Sequence, residues 1–297
     1  MPVTFEGVIL LYKMSAKGCI VTHPKHYGCC FIMKTLSYVL LAVLIVAGTL
    51  LYTRGLPSAP WSQPPVDQKQ RVIRIGTEAL YRPFNYFDDT GRLTGFDIDI
   101  VRAICETEGL TCEFISQDWD GLIPSLLAKK FDVIAASLSI TPERKKAVAF
   151  TNRYYRTPIR FITAKNQTLV ISPEGLKGKK VGAQRATTAA IYLNANFAGI
   201  ADIKLYDTQQ NGYLDLKSGR LDAMLSDAIM GWSWLLSDEG RGYAFRSESI
   251  YVDEGIGFAM RQDEGELVAI FNQGLNKILS NGTYDMIRQR YFPFDIY

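Results

Sequence analysis

Beyond residue 70 this chain contains no histidine, because both of its two, His23 and His26, come earlier. Serine–histidine and cysteine–histidine nucleophilic chemistry, and histidine-ligated zinc, are thereby excluded from the rest of the chain. Cysteine is scarce as well: of five, only Cys105 and Cys112 lie past residue 70. Nor is there a basic run. Residues 1–70 hold six of the 33 Lys and Arg and two of the 30 Asp and Glu, which leaves 27 against 28, a net charge of −1, for residues 71–297. A near-neutral body gives no support to a nucleic-acid partner. No short-period repeat of solenoid type is present. What remains is a 297-residue chain with 47% hydrophobic residues, enough for one large core or two smaller ones. Two lobes are expected.

Charge is also missing locally. Between Lys34 and Arg54 run 19 uncharged residues, followed by the proline-rich GLPSAPWSQPPVDQ. An export signal at 33–54 with a linker up to residue 70 is expected. An anchor through Leu36 to Tyr52 is the rival, since the run approaches the ~20 apolar residues that span a bilayer; a buried helix is the third alternative. Residues 1–32 show no periodic pattern, and translation from Met33 would give an ordinary signal layout.

From Arg71 onward short apolar strands alternate with amphipathic helices. RVIRIGT, TCEFIS and DVIAASLS read as strands, with GFDIDIVRAICETEG and WDGLIPSLLAKK as the helices between them. KKVGAQ, DIKLYD and LDAMLSD repeat the pattern, with helices starting near Thr188 and Thr208. EGIGFAMR returns as a strand before two terminal helices carrying Leu267, Phe271, Leu275 and Ile278 in register. The expected fold class is α/β, two lobes each with a mostly parallel sheet, and ligands of such sheets sit beyond the strand carboxyl ends.

The stretch DVIAASLSITPERKKAVAF, residues 132–150, delivers Ser137, Ser139, Thr141 and Arg144 to one strand end and helix start. Thr followed by Pro marks the helix start, and the arginine fork suits a carboxylate. In the second lobe VGAQ runs through Arg185 into Thr187 and Thr188, a similar device. Two helix starts in two lobes point to one anionic group gripped from both sides. Taken singly, each threonine reads as a plain cap and Arg144 as a solvated surface residue. Cys105 and Cys112 flank Gly109, where a helix can stop; a disulfide and a pair of buried thiols are both open readings of that spacing.

The series GTEALYRPFNY, GFDIDI, DWDGLIPSL, SLSITPERKKAVAF, KKVGAQRATT, GRLDAMLSD and NGTYDMIRQRYF resembles, in order, the polar amino-acid solute-binding proteins of ABC importers. It is most similar to the histidine and lysine–arginine–ornithine group, in the placement of Cys105 and Cys112 too, which implies a disulfide. The resemblance implies a type II periplasmic-binding fold, residues 71–157 and 256–297 forming one lobe and 158–255 the other. It implies a monomer that closes on one free amino acid and delivers it to a membrane permease, with no cofactor and no metal. Arg144 would hold the α-carboxylate, with Thr188 and backbone N–H groups near Ser139 and Thr187. Asp227 and Ser137 would receive the α-ammonium, and Tyr81 and Trp119 would sandwich the side chain, although Trp119 by itself reads as core. Glu78 would meet a distal cation, so a basic amino acid, arginine first, is expected in the periplasm; Glu78 exposed, or neutralised by Arg82, is the bland alternative. Asp97, Asp99 and Asp222 are expected outside the pocket. The sequence departs from the group at Ala136, where a serine is usual, and at Ala189, where glutamine is. An arginine-derived opine, a cyclohexadienyl dehydratase-like enzyme using Glu78 or Asp227 as acid, and an anchored sensor are the other functions on this fold.

Overall fold

A computed structural model describes residues 72–297, so the expected export segment and linker lie outside the described residues. RVIRIGT forms β1 (Val72–Thr77), with Ile73 and Ile75 buried. A small antiparallel meander follows, β2 (Leu80–Tyr81), β3 (Asn85–Phe87) and β4 (Leu93–Thr94). Gly95, at φ 126°, then turns the chain into α1 (Phe96–Thr107); a Cβ there would stand 2.2 Å from the Phe84 carbonyl oxygen. The helix buries Phe96, Ile100 and Ile104 and stops at Gly109, φ 65°. There the Leu110 N–H reaches the Cys105 carbonyl and the Gly109 N–H that of Glu106, a Schellman closure. The chain turns straight into β5 (Thr111–Ser116), and a Cys105–Cys112 disulfide ties helix end to strand start across a Cα separation of 6.3 Å. Of the two readings left open by the spacing, the disulfide holds.

A 3-10 turn at Trp119–Gly121 leads into α2 (Leu122–Leu127), β6 (Val133–Ile134), α3 (Pro142–Lys145) and β7 (Val148–Phe150). The strand expected over DVIAASLS runs for only two residues, since Ser137 at φ 55° bends the chain out of the sheet, and Ser139 makes just an isolated bridge to Ile256. The helix after Thr141 is a single turn, so it contributes a cap and exposed N–H groups but little dipole.

The second sheet contains β8 (Ile159–Ala164), β9 (Lys180–Gln184), β10 (Asp202–Tyr206), β11 (Ala223–Asp227) and β12 (Tyr243–Phe245). Its helices are α4 (Thr188–Phe197), α5 (Gln209–Lys217) and α6 (Ala228–Leu235). The chain then rejoins the first sheet through β13 (Ala259–Arg261) and ends with α7 (Gly265–Ser280) and α8 (Thr283–Tyr291). Sheet orders are β5-β1-β6-β13-β7 and β10-β9-β11-β8-β12. In each, the first three strands are parallel and the next pairings antiparallel, so the sheets are mixed rather than mostly parallel. The reason is connectivity. β8 and β13 are each the first strand after the chain passes between sheets, and only a βαβ crossover within one sheet enforces parallel direction.

The first lobe packs around aromatic rings, Phe84, Phe96, Tyr154, Tyr155, Phe258 and Phe292, with Leu267, Phe271, Leu275 and Ile278 of α7 against them as their register predicts. The second is mainly aliphatic around Val181, Leu193 and Leu225. Among the described residues no helix is long and apolar enough to cross a membrane.

Candidate functional site

The carboxyl ends of β6, β9 and β11 meet at a narrow cleft between the sheets, with about 40 Å³ of cavity volume. The first lobe lines it with Tyr81, Trp119, Ala136, Ser137, Ser139 and Arg144, the second with Thr187, Thr188, Ala189 and Asp227. Eight of the nine ligand-site residues expected from the sequence are therefore brought together. The ninth, Glu78, lies just behind the lining, 4% exposed, and is reached through Gln184.

At one end stands Arg144. Thr141 caps its short helix by accepting the Arg144 backbone N–H at 3.3 Å, and the guanidinium is held by two carbonyl oxygens, Nη1 donating to Ser139 at 2.9 Å and Nη2 to Ala186 at 3.0 Å. Among the described residues no carboxylate pairs with it directly, and burial pulls its pKa down to about 10, with Asp253 opposing the shift. The remaining donors of the fork face a cleft that an anionic group would fill. Opposite, α4 begins with Thr187 as N-cap: its Oγ1 accepts from Ala190 at 3.2 Å and donates to the Gln184 carbonyl at 2.7 Å. Both hydroxyl functions of Thr187 are thus engaged. That leaves the Thr188 side chain and the backbone N–H groups at the helix start.

Asp227 ends β11 and caps α6, its Oδ1 accepting from the Ile229 and Met230 N–H groups at 2.8 and 3.0 Å. Burial nevertheless pushes its carboxyl up to about 7, against these bonds and one from Thr157. Such a group needs a cationic partner to stay ionised. Ser137, beside it on the lining, donates its hydroxyl to Asp97 Oδ2 at 2.9 Å, so its lone pairs are what the cleft sees. Asp97 is fully buried and also accepts from Tyr154 at 2.6 Å and Asn85 at 2.9 Å. It belongs to the support beneath the pocket, as the sequence suggested. Asp99 binds the Tyr291 hydroxyl and Asp222 the Lys180 N–H, both away from the cleft.

Tyr81 and Trp119 both face the cleft. Tyr81 stacks on Phe84 at 5.8 Å, and the Trp119 ring lies 5.5 Å from the Arg144 guanidinium carbon. Trp119 Nε1 is buried without a hydrogen-bond partner among the described residues. Glu78 Oε1 accepts from Gln184 Nε2 at 2.7 Å, and burial raises its pKa to about 7, with Asp118 and Asp120 adding to the shift. Arg82 does not neutralise it; its guanidinium sits over the Tyr86 ring at 3.8 Å.

Six lining residues escaped the sequence reading: the polar Thr157, Gln184, Gln209 and Asp253, and the apolar Ile159 and Ile256. Asp253 bonds the Ser139 hydroxyl and lowers the net charge around Arg144. Gln184 was visible only as the last letter of a strand, and nothing in its neighbours marks it.

Residues 73–294 match the family described as bacterial extracellular solute-binding proteins, family 3. The L-arginine-binding protein of Pseudomonas aeruginosa is 40% identical over 240 residues, 78% of this chain and 92% of that protein. The lysine/arginine/ornithine-binding periplasmic protein of Escherichia coli K12 is 38% identical over 232 residues, 76% of this chain and 89% of that one. A solved ancestral arginine-binding protein bound to arginine superposes with a TM-score of 0.72 at 34% identity, covering 75% of this chain and 99% of that one. An ancestral arginine-binding protein bound to glutamine gives 0.70 at 35%, covering 75% and 98%. A two-lobed fold, a cleft with a guanidinium and a half-buried carboxylate facing it, and a family match across nearly all the described residues converge: this chain belongs to the family 3 bacterial extracellular solute-binding proteins.

Proposed function

We propose that the protein captures a free amino acid with a cationic side chain, arginine first and lysine or ornithine next, in the periplasm and hands it as a monomer to the permease of an ABC importer. The observation that carries this is the charge layout of one cleft. Arg144 and Asp227 line it together, and Glu78 stands behind it at the Gln184 side. A buried zwitterion needs a cation with donors at one end and a carboxylate at the other. Arg144, the Thr188 hydroxyl and N–H groups near Ser139 and Thr187 take the α-carboxylate. Asp227 and the Ser137 oxygen take the α-ammonium. Tyr81 and Trp119 flank the aliphatic stem, and Glu78 takes the distal cation. The lobes are assigned to 71–157 with 256–297 and to 158–255, closing about the two crossovers. The names of the relatives, arginine and lysine/arginine/ornithine, support the same ligand class.

A thermal-shift and calorimetry panel of L-arginine, lysine, ornithine, histidine, glutamine, glutamate and octopine tests it. Arginine is expected to stabilise most, and Glu78→Gln to weaken arginine by about 2 to 5 kcal/mol while leaving glutamine nearly unchanged. Stabilisation by glutamine or glutamate and by no cationic ligand would overturn the specificity. Octopine belongs in the panel because Ala136, 1% exposed, ends the lining beside Ser137 in a methyl group, which leaves room for a substituted amine. Two carboxyls near pH 7 are also apt for proton transfer; recovery of prephenate-like acids unchanged after incubation is the expected outcome for a binding protein.

A further inference from the structure

Three consecutive residues after the body of β9 all touch the first lobe. Gln184 donates to Glu78, Arg185 pairs with Asp120 at 2.6 Å, and the Ala186 carbonyl accepts from Arg144. Of these Gln184 is the buried one, 1% exposed. Its Nε2 makes two bonds, to Glu78 Oε1 at 2.7 Å and to the Asp207 carbonyl at 3.0 Å, so both amide hydrogens are committed and the side chain is fixed from within its own lobe. Among the described residues Gln184 is the one partner of the Glu78 carboxylate.

From this arrangement we infer that Gln184 sets how strictly the site demands a cation at the distal end, because closure delivers a neutral donor to Glu78 whichever ligand is bound. The inference rests on the proposed amino-acid specificity and deepens it. A buried carboxylate stripped of every partner is strongly disfavoured. If Glu78 had no protein partner, every ligand lacking a distal cation would leave it in that condition, and selection for arginine would be steep. With the amide in place, a neutral ligand such as glutamine leaves Glu78 still hydrogen-bonded through Oε1, while Oε2 is left for a guanidinium when one is present. The surroundings work in the same direction. Asp118 and Asp120 lie near Glu78, Asp120 is already paired with Arg185, and the carboxyl, at about 7, can retain a proton when no cation arrives. The site therefore prefers arginine without requiring a cation. Gln184 is a positioning residue in this scheme, acting on the ligand through Glu78.

The test is the ratio of arginine to glutamine affinity, measured by calorimetry on wild type, Gln184→Leu, and Gln184→Met as a variant of closely matched shape. Removing the amide is expected to raise the ratio about tenfold or more, chiefly through weaker glutamine binding. A merely structural role would weaken both ligands alike and leave the ratio in place; that result, in either variant that folds, overturns the inference. In a Glu78→Gln background Gln184→Leu should no longer change the ratio, and a change of the same size there would also overturn it. Wild type that fails to bind arginine defeats the proposed specificity itself, whereas an unchanged ratio with arginine binding intact defeats only the role of Gln184.

Discussion

Asp227 and Glu78 are both acids lifted by burial to about 7, yet they are held in opposite ways. Asp227 is gripped chiefly by its own lobe: two backbone N–H groups of α6 fix it at the end of β11, and Thr157 at the crossover adds to them. Its position needs no contribution from the other sheet. Glu78 follows β1, and its side-chain partner comes from β9 on the other lobe, 106 residues away. Its environment is complete only when the lobes meet. The difference separates two tasks. On the proposed reading, the charge for the ammonium is in place within one lobe before Ser137 of the other adds to it, while the distal end depends on a partner from across the cleft.

The largest effect expected from this comparison is at the pre-formed end. Asp227→Asn keeps a good helix cap but removes the charge, so α6 should stay intact while ligand binding falls by about 3 to 5 kcal/mol. Asp227→Ala should lose the binding and, in addition, about 1 kcal/mol of stability from the missing cap. Arg144→Ala should match the binding loss from the other side. Calorimetry with a parallel melting curve separates the two contributions. Near-wild-type affinity in Asp227→Asn or Arg144→Ala would break the assignment of the zwitterion ends.

A smaller effect distinguishes the ends by pH. Without ligand, the folded protein retains protons on both acids up to about pH 7, whereas free side chains lose them near 3.8 and 4.5. The folded state thus binds more protons in that window, and this contribution to stability falls as pH rises through it. A cationic ligand favours the ionised forms, so binding releases protons below pH 7 and affinity climbs with pH up to about 7, then levels. Glutamine presents one cation, at Asp227, and arginine two, at Asp227 and Glu78. Below pH 6 arginine should therefore lose up to about tenfold more affinity per pH unit than glutamine. The neighbours that could distort this are Asp118 and Asp120 near Glu78, and Asp253 near Asp227. Equal slopes for the two ligands would show that Glu78 does not meet the distal cation.

Legibility in the sequence divides along the same line as the two acids. Features made by neighbours in the chain were readable: Thr141 before Pro142, Thr187 before α4, the Gly109 stop between Cys105 and Cys112, and the apolar register of α7. The strand LDAMLSD that Asp227 ends was readable too, whereas a ligand role for Asp227 came only from the family resemblance. Features made by closure were not. Gln184 gains its meaning from Glu78 and Asp253 from Ser139, across separations that no local pattern encodes. Strand direction was hidden for a related reason: apolar periodicity is the same in parallel and antiparallel strands, so the reversal at β8 and β13 left no trace. The length of the strand over DVIAASLS failed because Ser137 adopts a positive φ that its residue type does not announce.

The smallest effect belongs to the rim of the closure. Arg185 and Asp120 bridge the lobes at 2.6 Å, but both side chains remain nearly half exposed, 46% and 41%. An exposed pair of this kind is worth about 0 to 1 kcal/mol, since water screens it and both chains lose freedom in forming it. It stands next to Gln184, however, so it acts on the step that completes the distal end and has no counterpart at the Asp227 end. Arg185→Ala or Asp120→Asn should leave the arginine association rate nearly unchanged and speed dissociation by about twofold to fivefold, an effect that shrinks at high salt. In Arg185→Ala the arginine-to-glutamine ratio should stay where it is, because Arg185 makes no hydrogen bond to Glu78; Asp120→Asn is read for rate alone, since the Asp120 charge also acts on Glu78. Stopped-flow displacement at two salt concentrations reads both quantities. A salt-independent change, or a shift in ligand preference in Arg185→Ala, would mean that closure and distal selectivity are not separable in the way Asp227 and Glu78 suggest.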